Sequence, residues 1–528
     1  MTNALVIIRS LIIYGLCLPL AIYLGYLVAN PIDRMSFAVV VTVAALPLLP
    51  ILLKWHHLLL IASWNMSMVL FFIQGSPYLW MVMTAISLLL TILQQILKRD
   101  VVFAGVPSIT WSLVFLAFVI VLTAKLTGGI GIAAFGGASI GGKRYVQLFC
   151  AIAGYFAITA YRIPKERSLL YAALYFLGTL SMIIGSLAPW MPGGLHFLFA
   201  LFPVENMAAL SGGGPTENMR LSGVTMAAAG VLSFILARHG MKGLFGGGER
   251  WRFLPLQFRG GFGINQPWRL LAFLAIAWIS LAGGYRSIPI MFIMIFFCLF
   301  LFEGLHRTSL APILLLVGIL LAVVSLPFVQ KMPLTVQRSL SFLPIEVSPL
   351  AKNSAEHSSQ WRIRMWEEVI PTIPQYLIVG KGYGIDPREA EMNSAFSDYK
   401  SRGNDDDASN AMTASDFHNG PLSLIIPLGI FGVIGFLWFL FASAKVLINN
   451  YRYGDPEHRQ LNTFLLAYFL TKVLFFFAVF GSFQNDLALF VGIVALSVSV
   501  NGGACKPAPV TRVNPAHLPF RLPKALRA

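Results

Sequence analysis

Apolar runs of membrane-crossing length follow one another along almost the whole chain, separated by short charged or Gly/Pro-rich breaks. A helix needs about 20 mostly apolar residues to cross the hydrocarbon layer with its backbone polar groups satisfied internally. The pattern predicts spans over residues 4–28, 36–53, 56–74, 77–97, 108–125, 144–161, 168–187, 222–238, 269–283, 287–303, 309–328, 420–444, 460–480 and 484–500. The fold class expected is an all-α polytopic integral membrane protein of about 12–14 transmembrane helices, with short amphipathic helices in one large loop. That loop divides the chain into an N-terminal bundle (1–328), the loop itself (329–417), C-terminal transmembrane helices (418–500) and a flexible basic tail containing prolines (501–528).

Composition excludes the soluble classes. Of 528 residues, 57% are apolar and 11% charged, too few charges to cover so much apolar surface in water. The excess of 38 Lys+Arg over 22 Asp+Glu gives +16, which alternation of the spans resolves into topology. With the N-terminus inside, the inside loops hold Lys54, Lys98 and Arg99, Arg162 to Arg167, the run from Arg238 to Arg269, Arg307, Lys445 to Arg459 and the tail. The short outside loops hold only Arg34, Lys125, Lys143, Arg144, Arg220 and Arg286. This positive-inside bias predicts N-in, C-in, with membrane lipids as partners and no need for nucleic acid. No cleavable secretory signal is expected, because the first run is long and more spans follow. Cys17, Cys150 and Cys298 fall in predicted spans and Cys505 in the tail, a spacing without a metal or redox motif.

The large loop is mildly acidic and falls outside. Ser358 or Ser359 is expected to cap a helix ending near Ile370, before Pro371 and Pro374. Trp361, Met365 and Val369 would form its apolar stripe, as in a helix lying on a membrane surface. Gly380-Lys381-Gly382-Tyr383-Gly384 predicts a tight turn whose backbone a ligand can approach. At the loop's end, in Ser415-Asp416-Phe417-His418-Asn419-Gly420, Ser415 or Asp416 is expected to cap the next span and to place His418 in its first turn. A helix N-terminus favours a neutral imidazole there, able to accept a proton, although an interfacial histidine that only satisfies the helix end fits the same pattern.

Arginines gather on the same face: Arg220, Arg286, Arg338, and Arg362 with Arg364. Guanidinium groups bind phosphate oxygens bidentately and hold their charge, so several together can grip a pyrophosphate; snorkelling to headgroups is the alternative for each. The topology rule disfavours Arg outside, which strengthens the functional reading of Arg220 and Arg286. Asp405-Asp406-Asp407 reads as a solvated tip, Lys472 needs a partner such as Asp486 or a snorkelling path, and His56 and His57 read as interfacial. No metal-ligand cluster is expected.

These segments resemble the O-antigen ligase and Wzy-type polysaccharide polymerase superfamily. The resemblance rests on Arg362 with Trp366, then Gly380, Gly382 and Gly384, then His418-Asn419 before the helix from Leu422 to Gly435. Tyr285-Arg286-Ser287 is similar to the family's Ser-Arg-Gly segment with two replacements, and Arg220 to Gly223 to its Arg-x-x-Gly segment without the following Pro-Asn. The resemblance implies an inner-membrane glycosyltransferase working on the periplasmic side without cofactor, nucleotide sugar or metal. It would move a glycan from undecaprenyl pyrophosphate to lipid A-core or a growing polysaccharide. His418 and Arg286 would be catalytic, with Arg220, Arg362, Arg364, Arg338, Trp366, Gly382 and Asn419 binding donor or glycan. Ligase, polymerase and protein O-oligosaccharyltransferase share that donor chemistry. A lipid-linked glycan flippase is the competing class, for which ionisable groups at the midplane and an internal repeat are the expected signs.

Overall fold

The computed structural model describes residues 49–73, 75–98, 104–127, 142–204, 220–244, 267–308, 326–384 and 416–507, with a few isolated positions besides. The predicted span at 4–28, residues 36–48 of the span predicted over 36–53, most of 309–325, Ser415, the Asp405 to Asp407 run and the tail beyond residue 507 lie outside them. Among the described residues the regular elements are helices, joined by turns and one isolated antiparallel bridge between Val69 and Tyr78. Seven of these helices are long and apolar enough to cross a membrane, so the chain is a polytopic all-α membrane protein.

In chain order the helices used below are α1 (Leu49–Ser63), α2 (Leu79–Lys98), α3 (Pro107–Leu126), α4 (Gly142–Thr159), α5 (Ser168–Leu177), α6 (Met182–Ser186) and α7 (Ser222–Leu244). They continue as α8 (Pro267–Ile279), α9 (Ser287–Phe302), α10 (Leu334–Leu340), α11 (Pro349–Val369), α12 (Gly420–Tyr453), α13 (Arg459–Ala478) and α14 (Phe483–Asn501). Helix α14 packs along α4, α12 along α3 and α13, and α9 along α13. Within a bilayer, lipid is as apolar as the core, so small residues that let helices approach closely become the main source of packing. Gly154 of α4 and Gly492 of α14 grip the Trp64 indole from two sides: a Cβ on Gly154 would lie 2.2 Å from the ring, and one on Gly492 2.3 Å from its Nε1.

The expected break between residues 53 and 56 is absent, because α1 runs straight through Lys54. Lys54 is exposed on the helix surface, where one lysine does not interrupt a helix. His56 and His57 face the protein interior. Both are buried; Nδ1 of His56 lies 2.8 Å from Ser87 Oγ and Nε2 of His57 2.8 Å from the Ile158 carbonyl. Lys472 holds its Nζ 5.7 Å from the Tyr468 ring centroid and 5.5 Å from that of Phe475, a cation–π placement within its own helix.

Helix α12 is the element that positions the site. Pro427 lacks an N–H and Gly429 takes φ +65°, so the helix opens between them. The groups released are satisfied by the large loop. Lys381 N donates to Ile426 O at 2.7 Å, Gly382 N to Pro427 O at 2.9 Å, and Ile430 N to Leu377 O at 2.7 Å. The glycine turn is therefore docked on α12 rather than presented to a ligand, which corrects the expectation for Gly380 to Gly384. Gly380 and Gly382 have φ +82° and +75°, and a Cβ on Gly380 would lie 2.3 Å from Pro427 O.

Candidate functional site

Two expected caps are elsewhere. Helix α11 starts ten residues earlier than predicted, with Pro349 in its first turn and Ser348 Oγ accepting from Ala351 N at 3.4 Å. Gln337 prepares that start by accepting from Ser348 N at 2.8 Å. The cap of α12 is Asn419, whose Oδ1 accepts from Leu422 N at 3.2 Å. His418 thus precedes the helix instead of lying in its first turn, and takes a left-handed φ of +51°. Nor does α11 spend its apolar stripe on a membrane surface. Met365 and Val369 are buried against Phe417, Leu422 and Ile426 at the start of α12, with Trp361 and Trp366 at the edge.

This packing fixes the segment around His418. Trp366 Nε1 donates to Phe417 O at 2.8 Å. The Trp361 ring stands edge-on to the His418 ring at 5.3 Å, and Phe480 closes the other side at 5.1 Å. Nδ1 of His418 lies 3.2 Å from Asp416 Oδ1. Burial pushes the Asp416 carboxyl up, but hydrogen bonds and charge from His418 outweigh it and hold the group below its ordinary value. Sequence reading treated Asp416 as a cap; its place two residues before His418 was the available signal of a pair.

The arginines are assembled by a stitched turn. Leu281 to Gly284 joins α8 to α9, with Gly284 at φ +66°. Gly283 N donates to Thr225 Oγ1 at 2.7 Å, Leu221 N to Ala282 O at 3.3 Å and Ser339 Oγ to Leu281 O at 3.2 Å. These bonds bring the start of α7, carrying Arg220, and α10, carrying Arg338, to Arg286 at the head of α9. Arg286 Nη2 then donates to Ser359 Oγ at 2.8 Å and Arg338 Nη1 to Ser354 Oγ at 2.7 Å, both on α11. A cavity of about 250 Å³ lies between Arg220, Arg338, Thr335 and Ser354.

Arg362 joins this group from α11, its guanidinium 5.6 Å from the Trp361 ring centroid and 5.9 Å from that of Phe480. Burial, and then the positive charges of Arg286 and Arg220, pull Arg362 down from its ordinary value, partly offset by Asp416. Its Nε is buried without a hydrogen-bond partner. An unpaired donor among repelling cations is a standing demand for an anion. Arg364 lies two positions on, roughly 200° around the helix, and is exposed. Gly382 and Trp366 support the site through backbone contacts, Gly382 from the docked turn and Trp366 from the Phe417 carbonyl.

Sequence reading gives Arg144 only as one of the basic residues of the short outside loops. It lies in the first turn of α4, within electrostatic reach of Asp416 and Tyr383, and its Nη1 is buried without a partner. Tyr383 is 1% exposed; its backbone N–H donates to Tyr145 Oη at 2.8 Å while its own hydroxyl is buried and unpartnered. The signal for Arg144 was the one used for Arg220 and Arg286, an arginine at a span end that the expected topology puts outside. Among the described residues no three His, Cys, Asp or Glu side chains gather as metal ligands.

No curated protein matches the chain. Residues 270–437 match the family model described as O-antigen ligase, a stretch running from α8 through the large loop into α12. Arg286, Arg338, Arg362 and His418 all lie within it, whereas Arg144 and Arg220 lie before it. Over that stretch, about a third of the chain, the protein is thus similar to the O-antigen ligase family.

Proposed function

We propose that this protein transfers a glycan from undecaprenyl pyrophosphate to an acceptor hydroxyl at the periplasmic face of the inner membrane, as an O-antigen ligase does with lipid A-core. The observation that carries the reading is the His418–Asp416 pair set beside Arg362, whose buried Nε has no partner and which feels the charges of Arg286 and Arg220.

An ionised Asp416 can only accept, so whenever His418 carries a single ring proton that proton sits on Nδ1 and Nε2 is left as the base. In the transfer, His418 Nε2 takes the acceptor hydroxyl's proton as its oxygen attacks the anomeric carbon. The bond from that carbon to the pyrophosphate oxygen breaks, and undecaprenyl pyrophosphate departs with the electron pair. Arg286, Arg220 and Arg362, with Arg144 approaching from α4, meet the developing negative charge with fixed guanidinium groups, without a divalent cation or other cofactor.

The test is deletion of the gene with analysis of both surface glycan and lipid-linked intermediates. Long lipid-linked polymer that never reaches lipid A-core is the expected result. Single lipid-linked repeats that do not elongate indicate a polymerase instead, and intermediates held on the inner leaflet indicate a flippase. Normal glycan in every fraction overturns the transfer reading.

A further inference from the structure

A second cavity, of about 400 Å³, opens where the C-terminal end of α1 meets the start of α14 and the first turns of α4. Its volume falls within the roughly 300 to 1,000 Å³ usual for organic ligands. Three aromatic rings line it, those of Trp64, Tyr78 and Trp80, with the amides of Asn65, Gln147 and Asn485. None of the side chains lining it is charged.

We propose that this cavity is a subsite for neutral sugar residues of the transferred glycan, remote from the bond that breaks. A sugar ring presents one apolar face and an edge of hydroxyls that both donate and accept. Aromatic rings meet the first, and amides, which also donate and accept, meet the second. A phosphate would find no charged side chain in the lining, where Lys143 is turned to the Ser76 carbonyl, and a lipid tail would strand the amides.

The surrounding bonds hold the amides ready. Gln147 Nε2 donates to Asn485 Oδ1 at 3.1 Å and to Gln484 O at 3.2 Å, which leaves the Asn485 amide nitrogen the Ser482 hydroxyl at 3.3 Å. Trp64 is fixed by its bond from Nε1 to Ala488 O at 3.1 Å, and Asn65 by its bond to Tyr175 O at 2.8 Å. The cavity is also tied to the candidate site. Gln147 sits about one helical turn from Arg144 on α4, and Asn485 follows Phe480, which packs on His418. One glycan can therefore occupy the cavity while its lipid-linked end lies among the arginines.

The subsite deepens the proposed transfer and rests on that reading for the identity of its occupant. The test uses the full chain in nanodiscs. The probe is the oligosaccharide released by mild acid from the producing cells' own lipid-linked glycan, with inorganic pyrophosphate as a second probe. Gln147→Ala/Asn485→Ala is expected to weaken oligosaccharide binding about tenfold and to leave pyrophosphate binding unchanged. In the transfer assay the same variant raises KM and spares kcat, the reverse of His418→Ala. Asn485→Trp, at an exposed position, fills the cavity and gives the same loss should the double variant fold poorly. The proposal is overturned by wild-type protein that does not bind the oligosaccharide, or by both variants binding it unchanged. Binding lost in the variants of a protein that shows no transfer leaves the subsite standing and removes the enzymatic reading instead.

Discussion

Asp416 Oδ1 lies 3.2 Å from Nδ1 of His418, and the two residues are held together by a left-handed turn at His418 itself. A non-glycine residue at positive φ is held there only by its surroundings, here the Asn419 cap, the Trp366 bond to Phe417 O and the two aromatic rings. The pair sets tautomer as well as position. Asp416→Asn is expected to keep the fold while lowering kcat about 10²-fold, and His418→Ala to lower it by about 10² to 10⁴. Single-turnover transfer from purified lipid-linked donor measures both. Full activity in His418→Ala removes the base.

The same pair fixes a pH dependence. Asp416 titrates below its ordinary value in the folded protein, so its contribution to holding the segment is fully present above the unfolded carboxyl value, near 4. That contribution is lost as pH falls through the folded value below it. Thermal unfolding of wild type and Asp416→Asn in detergent is therefore expected to differ at pH 7 and to converge as the medium is acidified past that range. A difference that grows on acidification contradicts the direction.

The span pattern and the His418-Asn419 step were legible because each depends on residues close in sequence: apolar runs, and a polar cluster at a span boundary. The arginines were singled out on the expected topology, in which outside arginines run against the charge rule. What was hidden depended on long-range partners. Nothing in the turn from Gly380 to Gly384 announces that its N–H groups will serve carbonyls released by Pro427, and nothing near Arg144 announces Asp416. Ser358 and Ser359 satisfied every local rule for a cap, yet Ser348 with Pro349 starts the helix and Ser359 receives Arg286 instead.

The docked turn makes a stability prediction. At Gly382, φ is +75° and a Cβ would lie 2.4 Å from Thr127 Oγ1 and 2.7 Å from Tyr145 Oη. Gly382→Ala adds backbone strain to overpacking and is expected to cost roughly 2 to 5 kcal/mol. Thermal unfolding in detergent checks it, and a melting temperature equal to wild type contradicts the docking.

Trp366 tests whether α11 positions His418 through the backbone. Trp366→Phe keeps most of the apolar contact with Phe417, Leu422 and Ile426 but leaves the Phe417 carbonyl without its donor. The loss is expected to be about 1 kcal/mol, seen as a several-fold fall in kcat with little change in donor KM. A rise in KM alone would instead place Trp366 in contact with substrate.

Arg144 carries the sharpest distinction between neighbours in sequence. Lys143 directs its Nζ to Ser76 O at 2.9 Å and over the Tyr78 ring, whereas Arg144 buries an unpaired Nη1 within reach of Asp416. If the pyrophosphate answers that donor, Arg144→Ala lowers kcat/KM for the lipid-linked donor about 10²-fold. Arg144→Lys restores only part of it, because an ammonium cannot reproduce the planar fork. Lys143→Ala leaves kcat near wild type, since its loss touches neither Asp416 nor the arginine group. Initial rates at varied donor concentration separate these outcomes, and a wild-type rate in Arg144→Ala would leave its buried nitrogen to structure alone.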